Sequence, residues 1–372
     1  LLIEVCLPVF VNHVIGALVA GGAERFVVSL VKALAGLDLP VGLIVLSSRT
    51  DAAGAAMRRE LERARIPVAI GPTDRVGART VAWYARELRA RQAARVHLHT
   101  PNTELMHWLA ARPAGAGRPV FRTVHNTAPV DGLLPRLACR RNRAACSIAC
   151  SAAVLDAGRG SYPEPFVVIR NGVEFDAPPR DERASLAARR HLGLDPDMIH
   201  FVAIGRMGGP TLDTAQKAHD LLLRAWRRVA PGARRARLHL LGDGPLRPAL
   251  ERLASNDTTV RFHGTSAEVA RWLCAADVFV MPSRYEGLPI AAIEAVGAGL
   301  DAVFSDIPPL RELAAPSALY VPADDEAALA AALQSRVDAV PLVDAAAVAL
   351  FRARFSIDRT AAQYRDIYDR HA

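Results

Sequence analysis

Short apolar runs alternate with longer stretches of helical periodicity along the whole of this sequence, and the pattern occurs twice. In the first half, residues 41–46, 96–99, 120–124 and 147–150 read as buried strands, with helical stretches such as 24–37 and 80–94 between them. In the second half, residues 199–204, 238–241, 260–263, 278–281 and 302–305 repeat the strand pattern. Continuous apolar strands separated by helices belong to a parallel sheet covered on both faces. One such sheet is expected in each half, giving an α/β chain of two Rossmann-like, doubly wound domains. The length of 372 residues agrees, since a single core rarely grows beyond about 250–300 residues. Ala177-Pro178-Pro179, followed by a charged stretch at 180–190, reads as a hinge. The expected division is a first domain at 1–177, a linker at 178–198 and a second domain at 199–354. In such sheets ligands bind at the carboxyl ends of the strands, which places the expected site in an interdomain cleft.

Composition excludes several classes. With 51% hydrophobic and 23% charged residues, the chain is globular, not disordered, collagenous or a disulfide scaffold. Five cysteines, an odd number, point to a reducing compartment. Cys139, Cys146 and Cys150 lack CxxC spacing and read as small buried hydrophobes rather than metal ligands. Residues 5–23 carry no charge beyond a possible one on His13. They also hold Pro8, Asn12 and three glycines, so they read as a buried strand running into a glycine turn, not as a membrane span or signal peptide.

The net charge of +8 is unevenly placed. Residues 1–175 hold 22 basic and 13 acidic side chains, so the excess belongs to the first half. Arg136, Arg140, Arg141 and Arg143 form its densest group, and Arg58, Arg59, Arg63 and Arg65 a second. Such a patch suits an anionic membrane or a phosphorylated substrate, with a solvated helix face as the plainer reading. Nucleic acid is not expected, because no finger spacing or aromatic-interleaved basic stretch is present.

The chemistry concentrates in Ser283-Arg284-Tyr285-Glu286-Gly287-Leu288-Pro289 and the helix expected after it, which carries Glu294. A strand ends, a turn holds Glu286 and Gly287, and a helix N-terminus follows, which is a ready site for anions or hydroxyls. Two carboxylates over one helix start suit the hydroxyls of a polyol. Two glutamates eight apart mean little alone, but this E-x7-E block, with its surroundings, resembles retaining glycosyltransferase family 4. Upstream, Asp277-Val278-Phe279-Val280-Met281-Pro282-Ser283 looks like the strand of that family. Leu238 to Pro245 looks like its GdGp turn, Asn171-Gly172-Val173-Glu174 is similar to its NGVD, and Gly21-Gly22-Ala23-Glu24-Arg25 resembles its GGAER turn. The closing segment, 355–372, resembles the family's last helix, which packs back on the first domain. The resemblance runs over almost the whole chain and implies a GT-B architecture.

It also implies residue roles. The donor would be a nucleotide diphosphate sugar, UDP- or GDP-linked, with no metal and no further cofactor. Arg206 and Lys217 match the positions that hold the diphosphate. Lys217 is one of only two lysines beside 44 arginines. Glu294 would take the ribose hydroxyls. Glu286, with the N–H groups of Gly287 and Leu288, would meet the transferred sugar. Gly21 and Gly22 would approach the phosphates, because residues without Cβ let backbone come close. His125 resembles the active-site histidine near the sugar; a lone strand-end histidine is otherwise structural. His99, Asn102 and Thr103 are weaker candidates for the acceptor side. The acceptor is a hydroxyl of a glycan, lipid-linked or small molecule, and the place of action the cytoplasm, at the inner face of the plasma membrane.

Three features depart from the family pattern. Arg206 and Lys217 stand eleven apart, so residues 207–216 look like an insertion that folds outward or reshapes the donor pocket. Asp301 replaces a proline at the start of a strand. Pro308-Pro309 replaces a glycine pair near the phosphate, and proline donates no backbone N–H. These departures leave open a catalytically weak binding protein. Small soluble acceptors, as in natural-product glycosylation, and a nucleotide-sugar epimerase are further alternatives.

Overall fold

A computed structural model describes residues 10–91, 95–114, 119–130, 132–229, 235–255 and 257–371. Residues 5–9 of the uncharged run and 92–94 of the stretch expected to be helical lie outside the described residues. In chain order the first half is β1 Val11–Ile15, α1 Gly22–Gly36, β2 Val41–Val45, α2 Ala52–Arg63, β3 Val68–Ile70, α3 Ala78–Ala90, β4 Arg95–Leu98, α4 Pro101–Ala114, β5 Val120–Val124, α5 Leu133–Arg141, β6 Cys146–Ala149, α6 Ala152–Gly158 and β7 Phe166–Val168. The second half is α7 Glu182–Leu192, β8 Ile199–Ile204, α8 His219–Val229, β9 Ala236–Leu241, α9 Arg247–Leu253, β10 Val260–Gly264, α10 Val269–Ala275, β11 Val278–Met281, α11 Ile290–Gly297, β12 Asp301–Ser305, α12 Pro308–Arg311, β13 Leu319–Val321, α13 Glu326–Asp338, α14 Ala345–Arg354 and α15 Ile357–Arg370.

Two parallel sheets result. One has seven strands in the order β3-β2-β1-β4-β5-β6-β7, the other six in the order β10-β9-β8-β11-β12-β13. The expected doubly wound α/β pair is the observed fold. The order reverses between β1 and β4 in one sheet and between β8 and β11 in the other. Those reversals are where loops diverge and a crevice opens at the strand carboxyl ends.

The chain divides into two units. Residues up to Gly172 join those from Ile357 onward, and Val173–Ser356 form the other. Helix α15 thus belongs to the first unit, where it packs on α1. Arg95 Nη1 donates to the Tyr368 carbonyl at 2.8 Å, and Thr360 Oγ1 to the Arg170 carbonyl at 3.0 Å. The stretch 178–198 differs from an open linker. Within it Asp181 caps α7 by accepting from Ala184 N at 2.7 Å, and the helix ends at Gly193 in the left-handed region, φ 66°. Helix α7 packs on α10, so this segment is part of the second unit.

Asp301 opens β12 and is completely buried. Arg336 of α13 answers it, Nε to Oδ2 at 2.5 Å and Nη2 to Oδ1 at 3.4 Å. Burial raises the carboxyl pKa and Arg336 opposes the rise. The residue that replaces proline is therefore half of an ion pair fastening helix to sheet. Breaking such a pair strands a buried charge at a cost of about 3–5 kcal/mol. Arg336→Met should lower stability by that order in urea unfolding, and adding Asp301→Ala to it should recover part of the loss.

Candidate functional site

In the second unit the loops after β8 and β11 meet at the reversal of strand order. Beyond β8 the chain passes Gly205 and Arg206 and returns to α8 at His219. Lys217 Nζ donates to Glu286 Oε1 at 2.7 Å, and Gln216 Nε2 donates to Glu286 Oε2 at 3.1 Å. Glu286 is buried and Lys217 half-buried, so the carboxylate is held by a cation and an amide away from bulk water. The Lys217 stem lies over Gly205, where an added Cβ would come within 2.9 Å of it. Gly242 and Gly244 of the GdGp-like turn press on the same loop from behind. Both have positive φ, 134° and 154°, and an added Cβ would lie 2.0 Å from the Gly205 carbonyl oxygen and 2.3 Å from that of Met207. Only glycine fits there.

The long loop does not fold outward. Met207 and Ala215 are buried, and Leu212 packs on the core of the unit. Arg284 pins it. Its Nη1 donates to the carbonyl oxygens of Ala215 at 2.8 Å and Leu212 at 3.4 Å, and its backbone N to that of Gln216 at 2.9 Å. The same guanidinium grips buried Asp220 with Nη1 and Nη2, both at 3.1 Å, and pairs with Asp324 at 2.8 Å. Arg284 thereby sets the position from which Gln216 and Lys217 reach Glu286. Neither Arg284 nor Gln216 was expected in this role; a motif spacing reports chain order, and these contacts join residues 64–72 apart.

The remaining second-unit candidates stand on the loops after β8 and β11 and on helices α11 and α12. Arg206 is exposed and has no bonding partner among the described residues. Pro289 caps α11 in extended conformation instead of standing in its first turn, and Glu294 lies half-buried within the helix. Gly287 and Leu288 stand in the turn between Glu286 and Pro289. Pro308 and Pro309 occupy the first two positions of α12, where helical N–H groups have no internal partner, so that end offers two donors fewer.

In the first unit, Gly21 caps α1 and Gly22 begins it, both exposed. Gly21 is extended, φ −173°, and an added Cβ would meet only the flexible Glu24 carboxylate. The fold of this unit therefore does not demand glycine at 21. His125 follows β5, and its ring stands against Phe26 of α1, centroids 5.6 Å apart. His99, weighed for the acceptor side, is buried, with Nε2 bonded to His13 Nδ1 at 2.9 Å and Nδ1 to His125 Nε2 at 3.1 Å. Thr103 is buried too, its Oγ1 donating to the Thr100 carbonyl at 2.7 Å and accepting from Thr100 N at 3.1 Å. Both are engaged inside the protein; Asn102 is exposed at the start of α4.

His13, His97 and His99 come near enough to one another to hold a metal ion. Their ring planes lie within 17° of parallel, and His13 Nδ1 and His99 Nε2 are spent on each other at 2.9 Å. His97 also bonds Tyr368 Oη at 2.6 Å and Thr123 Oγ1 at 2.8 Å with its two nitrogens. Burial lowers all of these histidines, His13 to about 3 and His125 to about 4. Cys139 and Cys146 are buried thiols pushed up by burial to about 12 and about 11, as small core residues would be.

Comparison with known proteins fits this geometry. The family described as Glycosyltransferase Family 4 matches residues 20–177, and that described as Glycosyl transferases group 1 matches 199–338. The chain belongs to glycosyltransferase family 4. A D-inositol 3-phosphate glycosyltransferase of Streptomyces bingchenggensis is 32% identical over 229 residues, 56% of this chain and 48% of the relative. The lipopolysaccharide core biosynthesis mannosyltransferase LpsB of Rhizobium meliloti is 26% identical over 224 residues, 55% of this chain and 61% of the relative. The chain thus spans about half the length of the curated relatives it matches. Among solved structures, Anabaena HepE in complex with UDP and glucose superposes with a TM-score of 0.81 at 17% identity, covering 97% of this chain and 99% of that one. The GT-B fold of family 4 is therefore the fold of this chain.

The buried histidines set an acid limit for this family 4 chain. They stay neutral when folded, whereas unfolded histidine protonates near 6.5. The unfolded state thus binds more protons below that pH, and stability falls as pH falls. Each such histidine contributes a slope of up to about 1.4 kcal/mol per pH unit. Thermal unfolding should show the melting temperature dropping from about pH 6.5 toward pH 4, more shallowly in His13→Asn.

Proposed function

We propose that the protein is a retaining glycosyltransferase that moves a hexosyl or N-acetylhexosaminyl group from a nucleotide diphosphate sugar to a hydroxyl acceptor in the synthesis of a cell-surface glycan, lipopolysaccharide or glycolipid. The observation that carries the reading is the buried Glu286 carboxylate held by Lys217 and Gln216 beside the N-terminus of α11. A buried carboxylate retained at a strand carboxyl end is a poor stabiliser and a good hydroxyl acceptor. Uridine diphosphate is the first nucleotide to test, since HepE, of like fold, holds UDP and glucose.

In this reading Lys217 and Arg206 hold the diphosphate, and Arg206, exposed and without a partner among the described residues, is available to it. Negative charge grows on the diphosphate as the bond from the anomeric carbon to phosphate oxygen breaks, so these cations favour the transition state. Glu294 takes the ribose hydroxyls. Glu286, with the turn at Gly287 and Leu288, takes those of the sugar. Gly21 and Gly22 offer backbone to the phosphates, and His125 serves the sugar. The acceptor oxygen bonds to the anomeric carbon on the face the diphosphate leaves, and its proton passes to a phosphate oxygen. No protein nucleophile and no metal step is invoked.

The acceptor side is proposed to work against an anionic membrane at the inner face of the plasma membrane. Leu133 and Leu134 of α5 are 80% and 55% exposed, beside the exposed Arg136, Arg140 and Arg141. Apolar side chains flanked by arginines on one short helix suit an anionic lipid surface. No helix among the described residues is long and apolar enough to cross a membrane.

A panel of nucleotide diphosphate sugars, read by thermal shift, tests the donor. A donor at a hundredfold over its Kd should stabilise the wild type by about 2.7 kcal/mol, and Glu294→Ala should abolish the shift. Silence from every nucleotide sugar with the wild type would sink the reading. Glu286→Ala should cut transfer by about 100-fold or more. For the membrane, sedimentation with phosphatidylglycerol vesicles should weaken as salt rises and fall in Leu133→Glu/Leu134→Glu; binding indifferent to both would remove the lipid surface from the proposal.

A further inference from the structure

Seven groups of the first unit form one hydrogen-bonded chain ending at His125. Its links are Tyr364 Oη to Thr123 Oγ1 at 2.9 Å, Thr123 Oγ1 to His97 Nε2 at 2.8 Å, His97 Nδ1 to Tyr368 Oη at 2.6 Å, Tyr368 Oη to His13 Nε2 at 3.5 Å, His13 Nδ1 to His99 Nε2 at 2.9 Å and His99 Nδ1 to His125 Nε2 at 3.1 Å. The six groups before His125 are buried; His125 alone is half-buried.

A neutral imidazole has one donor and one acceptor nitrogen, and a hydroxyl has one proton. A hydroxyl also has two acceptor lone pairs, so the order can reverse throughout or at Thr123 or Tyr368, and each of these reversals leaves one buried hydroxyl proton without an acceptor. If the protons point away from His125, Thr123 donates to Tyr364, and the Tyr364 proton has no acceptor, because Thr123 is its only hydrogen-bond partner among the described residues. If they point toward His125, every proton inside the chain has an acceptor, and the one left over is the Nδ1–H of His125. A buried donor left unmade is expensive enough to hold the reversed order to under about a tenth of the molecules. The link of 3.5 Å is the weakest, and it is the one that carries the sense of the tyrosine half into the histidine half.

We propose that His125 presents a fixed Nδ1–H donor to the substrate, and that Tyr364, Tyr368, His13, His97 and His99 are positioning residues that set this tautomer through the ordered chain. The inference rests on the reading that His125 serves the donor sugar. A neutral ring with its proton on Nδ1 gives a hydrogen bond to an oxygen of the sugar and does not take the acceptor's proton, which leaves that proton to the phosphate oxygen. The burial that keeps the rings neutral agrees with this role. Two tyrosines of α15, remote in sequence, thereby decide what His125 offers.

The test is the tautomer itself. In protein labelled with nitrogen-15 histidine, long-range proton–nitrogen correlation spectra at pH 7.5, with His125 assigned from His125→Gln, should show Nδ1 protonated and Nε2 bare. In Tyr368→Phe the bias is lost, and the Nε2–H form of His125 should rise severalfold. A wild-type His125 protonated on Nε2 overturns the proposal. So does a Tyr368→Phe protein, folded by circular dichroism, whose tautomer ratio is unchanged; should that variant not fold, the wild-type spectrum still decides. The spectra need no substrate. An Nδ1–H His125 together with wild-type sugar transfer in His125→Gln would instead overturn the placement of His125 at the sugar.

Discussion

Parallel strands cannot be joined by tight turns, and that constraint organises everything else in this molecule. Each strand must be followed by a crossover, so all the loops that leave strand carboxyl ends open on one edge of the sheet. Where the strand order reverses, between β1 and β4 and between β8 and β11, neighbouring loops part and leave room. Arg206, Lys217 and Glu286 are on the β8 and β11 loops for this reason. Gly21, Gly22 and His99 follow β1 and β4 for the same reason.

Room alone does not place a side chain, and here placement comes from buried charge. Arginines hold carboxylates that the fold has taken out of water: Arg284 holds Asp220, Arg336 holds Asp301, and Arg122 holds Glu104 at 2.9 Å. A planar guanidinium gives several donors in fixed directions, so each pair fixes an angle as well as a distance. Glu286 is the exception, paired with one of two lysines in the chain. An ammonium on a flexible stem is a point charge that does not fix an angle, and Arg284 holds the loop that carries it.

The first unit solves a different problem. His13 and His97 stand in the middle of buried strands where apolar residues would be simpler. They persist because each nitrogen has a partner, and the partners include the hydroxyls of α15. A helix returning from the far end of the chain thus seals the sheet and satisfies its polar core, which ties the stability of the first unit to the last residues of the sequence.

The alternation of apolar runs determined two parallel sheets, and the E-x7-E block with its flanking turns marked the loop after β11, where Glu286 lies buried against Lys217. Both are local signals, written in residues a few positions apart. The segment 178–198 looked like a linker because its charges hide an amphipathic helix, α7, whose buried face is defined only by α10. The insertion at 207–216 looked like a threat to the pocket because nothing in its composition announces Arg284 as its anchor. His99 and Thr103 looked available because strand and helix ends often are; their burial follows from neighbours on β1 and within α4. Residue type and spacing therefore settled what the chain folds into and which groups are chemically able. Tertiary structure alone decided which of those groups are paired, buried or left free, because pairing depends on contacts between residues that the sequence keeps far apart.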